Sequence, residues 1–184
     1  MEEEEEKVTI EGWTLDPREV RQIASRIGIP TNTPVPRVIV TTGKEGAHLG
    51  ESDKDPSGFW ISISEDVLAK HSEEEYTLGQ RGREDVRHEL AHYMEHLERG
   101  TRPGKAESPK IQAEREIEAE LRGRTGLATS KYLYYLMVGL LQDYDDLSVE
   151  QSVKIVRETA LRQGISRGVI SRAENLFQSY RETL

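Results

Sequence analysis

Two histidines four residues apart, with a glutamate directly after the first, are the residues best suited to chemistry. They are His88, Glu89 and His92, in the pattern His-Glu-x-x-His. On a helix, residues four apart lie on one face and about 6 Å apart along the axis, so both imidazoles can bind one divalent ion. In this pattern the histidines bind Zn²⁺ and the glutamate acts as a general base. The spacing therefore predicts a zinc (Zn²⁺) site with Glu89 as the catalytic residue.

A catalytic zinc site needs a third protein ligand and an open position for water. The chain has no cysteine, which excludes a thiolate ligand, a disulfide and a cysteine nucleophile. His96 lies one further turn along the same helix, too far from an ion held by His88 and His92. We therefore expect the third ligand to be a carboxylate from another element.

The next predicted helix carries four candidates for this carboxylate. They are Glu114, Glu116, Glu118 and Glu120. If Ile117 faces the core, Glu114 and Glu118 lie about 60° and 100° to one side of it, and the other two lie on the opposite side. We favour the side with Glu114 and Glu118, and the periodicity leaves these two open.

The helices that position these residues follow from apolar spacing and capping signals. The histidine helix is predicted over residues 84–99, where four apolar residues fall within about 40° of one line and should pack inward. These residues are Val86, Leu90, Tyr93 and Leu97. The next helix is predicted to begin at Ser108, which caps it ahead of a first-turn proline. Its inward residues are Ala113, Ile117 and Leu121.

A helix and two strands are predicted ahead of the histidine helix. The helix covers residues 17–27, with Asp16 as its cap. Residues 37–42 are rich in β-branched side chains and residues 58–64 alternate in polarity, so both are predicted strands. A long hairpin or loop over residues 43–57 would join them. The alternation at 58–64 suits a sheet edge that pairs with an extended substrate, and an ordinary half-buried strand is the alternative.

The C-terminal region, residues 127–184, is predicted to be all helical. Ser148 and Gln151 form a capping box at the start of one helix, and Ser166 caps a last helix. Gly164 separates the two. The composition thus predicts a helical extension that follows the part of the chain with the motif.

The sequence around the histidines resembles the ImmA/IrrE family of small zinc metallopeptidases, of the gluzincin class. The resemblance covers residues 38–126 and rests on the predicted strand at 58–64 and on two motifs. The motifs are His88-Glu89-x-x-His92-x-x-x-His96 and Glu116-x-Glu118-Ala119. It implies an α+β fold, a zincin-like minidomain with a small mixed sheet packed on the His-Glu-x-x-His helix and on the following glutamate-bearing helix. It also implies that Glu118, the glutamate before the alanine, is the third metal ligand.

The resemblance further implies an activity. The chain would be a zinc-dependent endopeptidase whose substrate is a regulatory protein, such as a helix-turn-helix repressor or a similar transcription factor. Glu89 would take a proton from the attacking water and pass it to the leaving amine. The oxyanion would need a further donor. The candidates, among which the sequence does not choose, are Tyr76, Tyr93, Tyr132, Tyr134, Tyr135 and Arg99.

Part of the C-terminal region is similar to the helix-turn-helix core of repressor-type DNA-binding proteins. This part is residues 160–175, and Arg167, Ser171 and Arg172 would then face the major groove. Residues 147–184 carry six basic and four acidic side chains, a net charge of +2, so the rest of the chain carries −11. Two antiparallel helices joined by a glycine would give the same pattern, and we favour that interpretation over DNA binding.

These features predict three regions and leave alternative functions open. The regions are an acidic disordered tail (1–12), a zincin-like metallopeptidase domain (13–126) and a helical C-terminal region (127–184). One alternative is a zincin-like binding module that uses its tail for DNA or a protein partner. The other is a zincin of a phage or virus that acts during assembly.

Charge and hydropathy limit the compartment and the partners. The formal charge is −9, and five glutamates at residues 2–6 contribute to it. Such a chain is repelled by nucleic acid and by anionic membranes unless it has a local basic patch. The longest apolar stretch, residues 132–141, has ten residues, whereas a membrane span needs about 20. With glutamates in place of a secretory signal, we expect a cytoplasmic protein with no membrane partner.

Overall fold

The computed structural model describes residues 15–41, 46–70, 76–100, 108–124 and 127–182. The predicted acidic tail, residues 1–12, lies outside the described residues. Within the described ranges the chain is α+β, with a small mixed sheet and six helices, which confirms the α+β class of the predicted fold. The chain divides into two compact units, Met1–Met94 and Glu95–Leu184.

The described residues contain six α-helices and five β-strands. The helices are α1 (Pro17–Arg26), α2 (Gln80–Arg99), α3 (Pro109–Leu121), α4 (Ser130–Asp143), α5 (Val149–Arg162) and α6 (Arg167–Arg181). The strands are β1 (Arg37–Thr41), β2 (Ala47–Glu51), β3 (Phe59–Ser64), β4 (Leu68–Lys70) and β5 (Tyr76–Leu78). A short 3₁₀ turn, Glu65–Val67, lies between β3 and β4. Among these helices, none is both long enough and apolar enough to cross a membrane.

The first unit is built on a mixed sheet of three strands in the order β1-β3-β2. β1 runs parallel to the central strand β3, with Val38 opposite Ile61. β2 runs antiparallel to β3, with Leu49 also opposite Ile61. These three side chains are at most 2% exposed, so they form the centre of the buried face of the sheet. β4 and β5 form a separate antiparallel pair.

Two predictions about this sheet are wrong. Because β1 and β3 are parallel, they are not the arms of a hairpin, and the segment predicted to be a loop contains β2. β3 is the central strand, with a partner on each side, so it is not an edge that can pair with a substrate. Its sequence alternation is misleading, since Ser62 and Ser64 are each only 6% exposed and both faces of the strand are buried.

Local signals set the ends of α1, as predicted. The Asp16 carboxylate accepts a hydrogen bond from the backbone N–H of Arg18 at 2.9 Å. Pro17 occupies the first turn, where a missing N–H costs no helical hydrogen bond. The helix ends at Arg26, one residue before the predicted end. Its buried residues are Val20, Ile23 and Ala24.

α2 has 20 residues and begins at Gln80, four residues before the predicted start. Val86 and Leu90 are fully buried and Tyr93 is 1% exposed, so the predicted apolar line packs inward along these turns. The prediction for Leu97 is wrong, because this side chain is 45% exposed. The last turn of α2 makes its contacts through charged side chains instead, as described below.

The second unit contains the end of α2, from Glu95 onwards, and α3 to α6. Three of these helices begin at the predicted caps, where a serine hydroxyl accepts a hydrogen bond from the N–H three residues later. The serines are Ser108, Ser148 and Ser166. The predicted capping box is also present, because the Gln151 side chain accepts a hydrogen bond from the Ser148 N–H at 2.7 Å.

Helices α3 to α6 share one hydrophobic core. From α3, Ala113, Ile117 and Leu121 are at most 3% exposed. Residues of the later helices that pack in the same core include Leu133, Met137, Val156, Ala160, Ile170 and Phe177. The sequence-based boundary after residue 126 separates α3 from these helices. By its packing, α3 belongs with them, and all four helices lie in the compact unit Glu95–Leu184.

A buried carboxylate closes the loop between β2 and β3. The Asp55 side chain is 2% exposed and accepts hydrogen bonds from the backbone N–H and the hydroxyl of Ser57, at 2.9 and 2.7 Å. Arg37 Nε donates to the other carboxylate oxygen at 2.9 Å, which ties the loop to β1. Burial alone would raise the pKa of Asp55, but the hydrogen bonds from Ser57 and Arg37 outweigh it and lower the pKa below its ordinary value.

We expect Asp55→Asn to destabilise the first unit by about 1–3 kcal/mol at neutral pH, because it removes a buried charge-assisted hydrogen-bond acceptor. A lowered pKa stabilises the fold above the ordinary carboxyl pKa of about 3.9, and this contribution is lost as pH falls through the pKa of folded Asp55. The difference between wild type and Asp55→Asn should therefore shrink in acid. Urea unfolding at neutral pH and near pH 3 measures it. Asp53→Asn, an exposed neighbour in the same loop, is the control, and an effect of Asp55→Asn that is equal at both pH values would contradict the prediction.

Candidate metal centre

His88 and His92 lie one turn apart on α2 with their rings in contact. Their Nε2 atoms are 3.0 Å apart, and the ring centroids are separated by 4.7 Å with the planes at 79°. Both side chains are half-buried. The structure therefore brings together the two imidazoles that the sequence pattern places on one helix face.

The rotation of α2 about its axis is set by its buried side. Val86 and Leu90 are fully buried, and each precedes a histidine by two residues, which is a rotation of about 200°. The imidazoles thus lie on the side of α2 opposite the apolar line. Glu89 follows His88 and is 9% exposed, so its carboxylate is largely withdrawn from bulk water.

One group of side chains in the described residues could hold a metal ion, and it consists of His88, His92 and Glu116. One ligand atom of each lies within 4.8 Å of the other two. Glu116 is half-buried on α3, like the histidines on α2. The group offers two nitrogen ligands and one oxygen ligand.

The donor set fits a catalytic zinc ion. With Zn–N distances near 2.0–2.1 Å and tetrahedral angles, two ligand nitrogens lie about 3.3 Å apart, close to the 3.0 Å between the two Nε2 atoms. Two histidines and one carboxylate also leave a fourth position for water. Since the chain contains no cysteine, thiolate coordination does not compete.

Glu118, the third ligand implied by the family resemblance, is in a different environment. Both of its carboxylate oxygens accept hydrogen bonds from Arg99 Nη2 at 3.2 Å, and one accepts a further bond from Arg122 Nη2 at 3.2 Å. The side chain is 10% exposed. To bind an ion, Glu118 would have to give up two guanidinium partners. Glu116, and not Glu118, belongs to the group in the described residues that could hold a metal ion.

The choice between these glutamates depends on a property of α3 that periodicity misses, namely that this helix is buried on two sides. Ile117 packs into the helical core, and Ala119, about 200° further round the helix, is equally buried at 3% exposure. The sequence analysis recognised only the first side and chose the flank of Glu114 and Glu118. Glu114, the other residue of that flank, is 43% exposed and pairs with Lys110 at 3.9 Å.

Six charged side chains join the last turn of α2 to α3 within the second unit. They are Glu95, Glu98, Arg99, Arg115, Glu118 and Arg122. Arg99 contacts Glu95 at 3.5 Å and Glu118 at 3.2 Å, and Arg115 contacts Glu95 at 3.1 Å. Burial would lower the pKa of Arg122, but hydrogen bonds to two of the glutamates raise it. Since Glu95 is only 5% exposed, loss of its arginine partners would leave a buried charge uncompensated.

Tyr144 is a neighbour of Glu116 that the sequence analysis did not identify. Burial raises the pKa of its phenol, and the negative charges of Glu116 and Asp143 raise it further. The side chain packs against the core shared by α3 to α6. A tyrosine that directly follows an apolar helix carries no local signal for this electrostatic interaction with Glu116, which results from tertiary packing.

Three of the oxyanion candidates from the sequence have other contacts. Tyr93 is 1% exposed and donates a hydrogen bond to the carbonyl oxygen of Pro34 at 2.9 Å, and burial raises its pKa. Tyr132 donates a hydrogen bond to the carboxylate of Glu120. Arg99 is part of the charged network between α2 and α3. The structure gives these three side chains structural contacts within their own units.

The other candidate oxyanion donors are Tyr76, Tyr134 and Tyr135. Tyr134 and Tyr135 on α4 contact each other, with ring centroids 5.2 Å apart. The side chain of Tyr76 lies outside the described residues. We therefore assign the role of oxyanion donor to none of the candidates.

Comparison with known proteins adds no family to these observations. No protein-family model matches the chain, and neither a curated protein nor a solved structure matches it. The candidate site is thus defined by its own side-chain geometry.

If the group binds zinc, we expect Glu116→Ala to weaken that binding by at least about tenfold, because it removes one of the three side chains that could hold the ion. Competition with a chromophoric chelator measures this affinity. Glu114→Ala, the same change on an exposed side of the same helix, should leave it within about twofold. Glu118→Ala should lower the midpoint of thermal unfolding without a comparable loss of zinc, since it leaves Arg99 and Arg122 without a buried partner. Loss of zinc from Glu118→Ala but not from Glu116→Ala would return the third-ligand role to Glu118.

Proposed function

We propose that the chain is a zinc-dependent endopeptidase that hydrolyses a peptide bond in a regulatory protein. The observation that carries this proposal is the group of His88, His92 and Glu116, with the buried Glu89 directly after His88 on α2. A metal-binding group alone is compatible with a structural ion. A nearby carboxylate that is not part of that group is what hydrolysis requires in addition.

The residues of the site divide into ligands and a proton carrier. His88 and His92 would hold Zn²⁺ through ring nitrogens, and Glu116 would hold it through a carboxylate oxygen. When bound, the ion supplies Lewis acidity, which lowers the pKa of a coordinated water toward about 7. The carboxylate of Glu89 accepts a proton from the attacking water and passes it to the nitrogen of the leaving amine.

The burial of Glu89 supports its role as the general base. At 9% exposure it has little contact with bulk water, and a carboxylate in such an environment interacts more strongly with a nearby proton donor than an exposed one. Its position on α2, directly after His88, fixes the backbone from which it reaches the site. A helix is a more precise support for such a group than a loop.

The architecture is compatible with the zincin-like fold that the ImmA/IrrE resemblance implies. A small mixed sheet, a helix with the His-Glu-x-x-His motif and a following helix with a ligand glutamate occur in that order along the chain. The proposal differs from the resemblance in its third ligand, which is Glu116 instead of Glu118. The proposed substrate is a protein or peptide segment in an extended conformation, because a peptide bond must reach the ion between the ligands and Glu89.

The test is proteolysis of a proteome-derived peptide library by the zinc-loaded chain, with new termini identified by mass spectrometry. We expect Glu89→Gln to reduce cleavage by at least about 100-fold, because it removes the general base, while the bound zinc is retained. Zinc removal should abolish cleavage, and restoring zinc should recover it.

Glu114→Gln is the matched control, since it makes the same change in a half-exposed glutamate outside the group. Its cleavage rate should equal that of the wild type. The proposal is rejected if the zinc-loaded wild type produces no new termini, or if Glu89→Gln cleaves at the wild-type rate.

A further inference from the structure

The connection between α5 and α6 has the form of a helix-turn-helix turn. α5 ends at Arg162 and α6 begins at Arg167, so four residues join them. Gly164 has φ +76°, a conformation that favours glycine, and its N–H bonds to the Leu161 carbonyl oxygen at 3.0 Å. Ile165 is 6% exposed, so the turn is anchored in the core. A short turn that contains glycine is typical of this motif.

Packing of α6 argues against a simple antiparallel pair of helices. Along its buried side α6 packs mainly on α4, and less on α5. α4 also packs on α5, so it braces both helices of the pair. The buried residues of α6 are Ile170, Ala173 and Phe177. A third helix that supports the pair leaves the opposite side of α6 open to solvent.

The open side of α6 has an unusual composition for an acidic chain. Over residues 167–175 it covers about 140° of the helix and carries no carboxylate. The exposed residues of this arc are Arg167, Gly168, Ser171, Arg172 and Asn175, and Gln178, Ser179 and Glu182 continue it toward the C-terminus. Neither Arg167 nor Arg172 has a hydrogen-bond or ion-pair partner in the described part of the chain. Glu174, which lies beside this side, is paired with Arg157.

These side chains are the ones that read DNA in a major groove. Arginine donates to guanine or phosphate, asparagine pairs with adenine, and serine can bond to either. In helix-turn-helix proteins the N-terminal residues of the second helix reach the base edges. A Cβ added at Gly168 would meet no atom within 4 Å, so the backbone at the start of α6 can be approached closely.

We propose that α5, residues 163–166 and α6 form a DNA-binding helix-turn-helix in which Arg167, Ser171, Arg172 and Asn175 contact duplex DNA. The proposal does not depend on the peptidase activity, because all of its residues lie in the C-terminal helices. Residues 147–184 have a net charge of +2 against −11 for the rest of the chain. Binding is therefore weak and strongly dependent on salt.

The test uses the full chain and a fluorescein-labelled duplex of mixed sequence, with anisotropy as the readout. Wild type should bind at about 50 mM salt and lose most of its affinity at about 200 mM. Arg167→Ala with Arg172→Ala should weaken binding by about tenfold or more and reduce the slope of log affinity against log salt. A single strand of the same sequence should bind more weakly than the duplex.

The matched control is Arg18→Ala with Arg26→Ala, which removes the same charge from exposed positions on α1. It should leave the affinity within about twofold. Glu89→Gln should bind DNA like the wild type, so failure of the peptidase proposal and failure of this one are distinguishable. Absence of binding by the wild type at about 50 mM salt, or an equal loss in both double variants, would overturn the proposal.

Discussion

The candidate site depends on one constraint, the set of ion pairs that holds α3 against the last turn of α2. α2 is one continuous helix from Gln80 to Arg99, and it carries both histidines. The ion pairs hold α3, the helix that carries Glu116, against residues 95–99 of α2. Two of the carboxylates that do so, Glu95 and Glu118, are 5% and 7% exposed. Removing a partner from a buried ion pair costs about 3–5 kcal/mol, so alternative positions of α3 are disfavoured.

These ion pairs also distinguish Glu118 from Glu116, which lies two residues earlier on α3. Apolar burial is not directional, and it would tolerate small rotations of α3 about its axis. The guanidinium groups of Arg99 and Arg122 restrict such rotation, since they need the Glu118 carboxylate within hydrogen-bond distance. Glu118 is paired with Arg99 and Arg122, whereas Glu116 belongs to the group that could hold a metal ion. The same ion pairs that orient α3 thus occupy the Glu118 carboxylate.

The helix starts were predicted correctly because local sequence signals specify them. Features that depend on tertiary packing were missed. Serine caps, a capping box and first-turn prolines act within one turn, and the helices that start after Ser108, Ser148 and Ser166 were placed correctly. β2, which pairs antiparallel with the next strand β3, was missed because Ala47–Glu51 has no β-branched run. The position of Glu116 was missed for a different reason, since it follows from burial on a second side of α3 that the Ile117 seam does not reveal.

The packing of α3 also gives the C-terminal helices a part in positioning Glu116. Ile117 and Leu121 are buried in the same core as Phe177 and Val156, so the helix that carries Glu116 is covered by α4 to α6. Without that cover, α3 would expose a continuous apolar seam and would lose the burial that holds its rotation. The C-terminal helices, which the sequence predicts as a separate extension, therefore help to hold Glu116 in position. The outer side of α6 makes no contribution to this core, which leaves it available for a different partner.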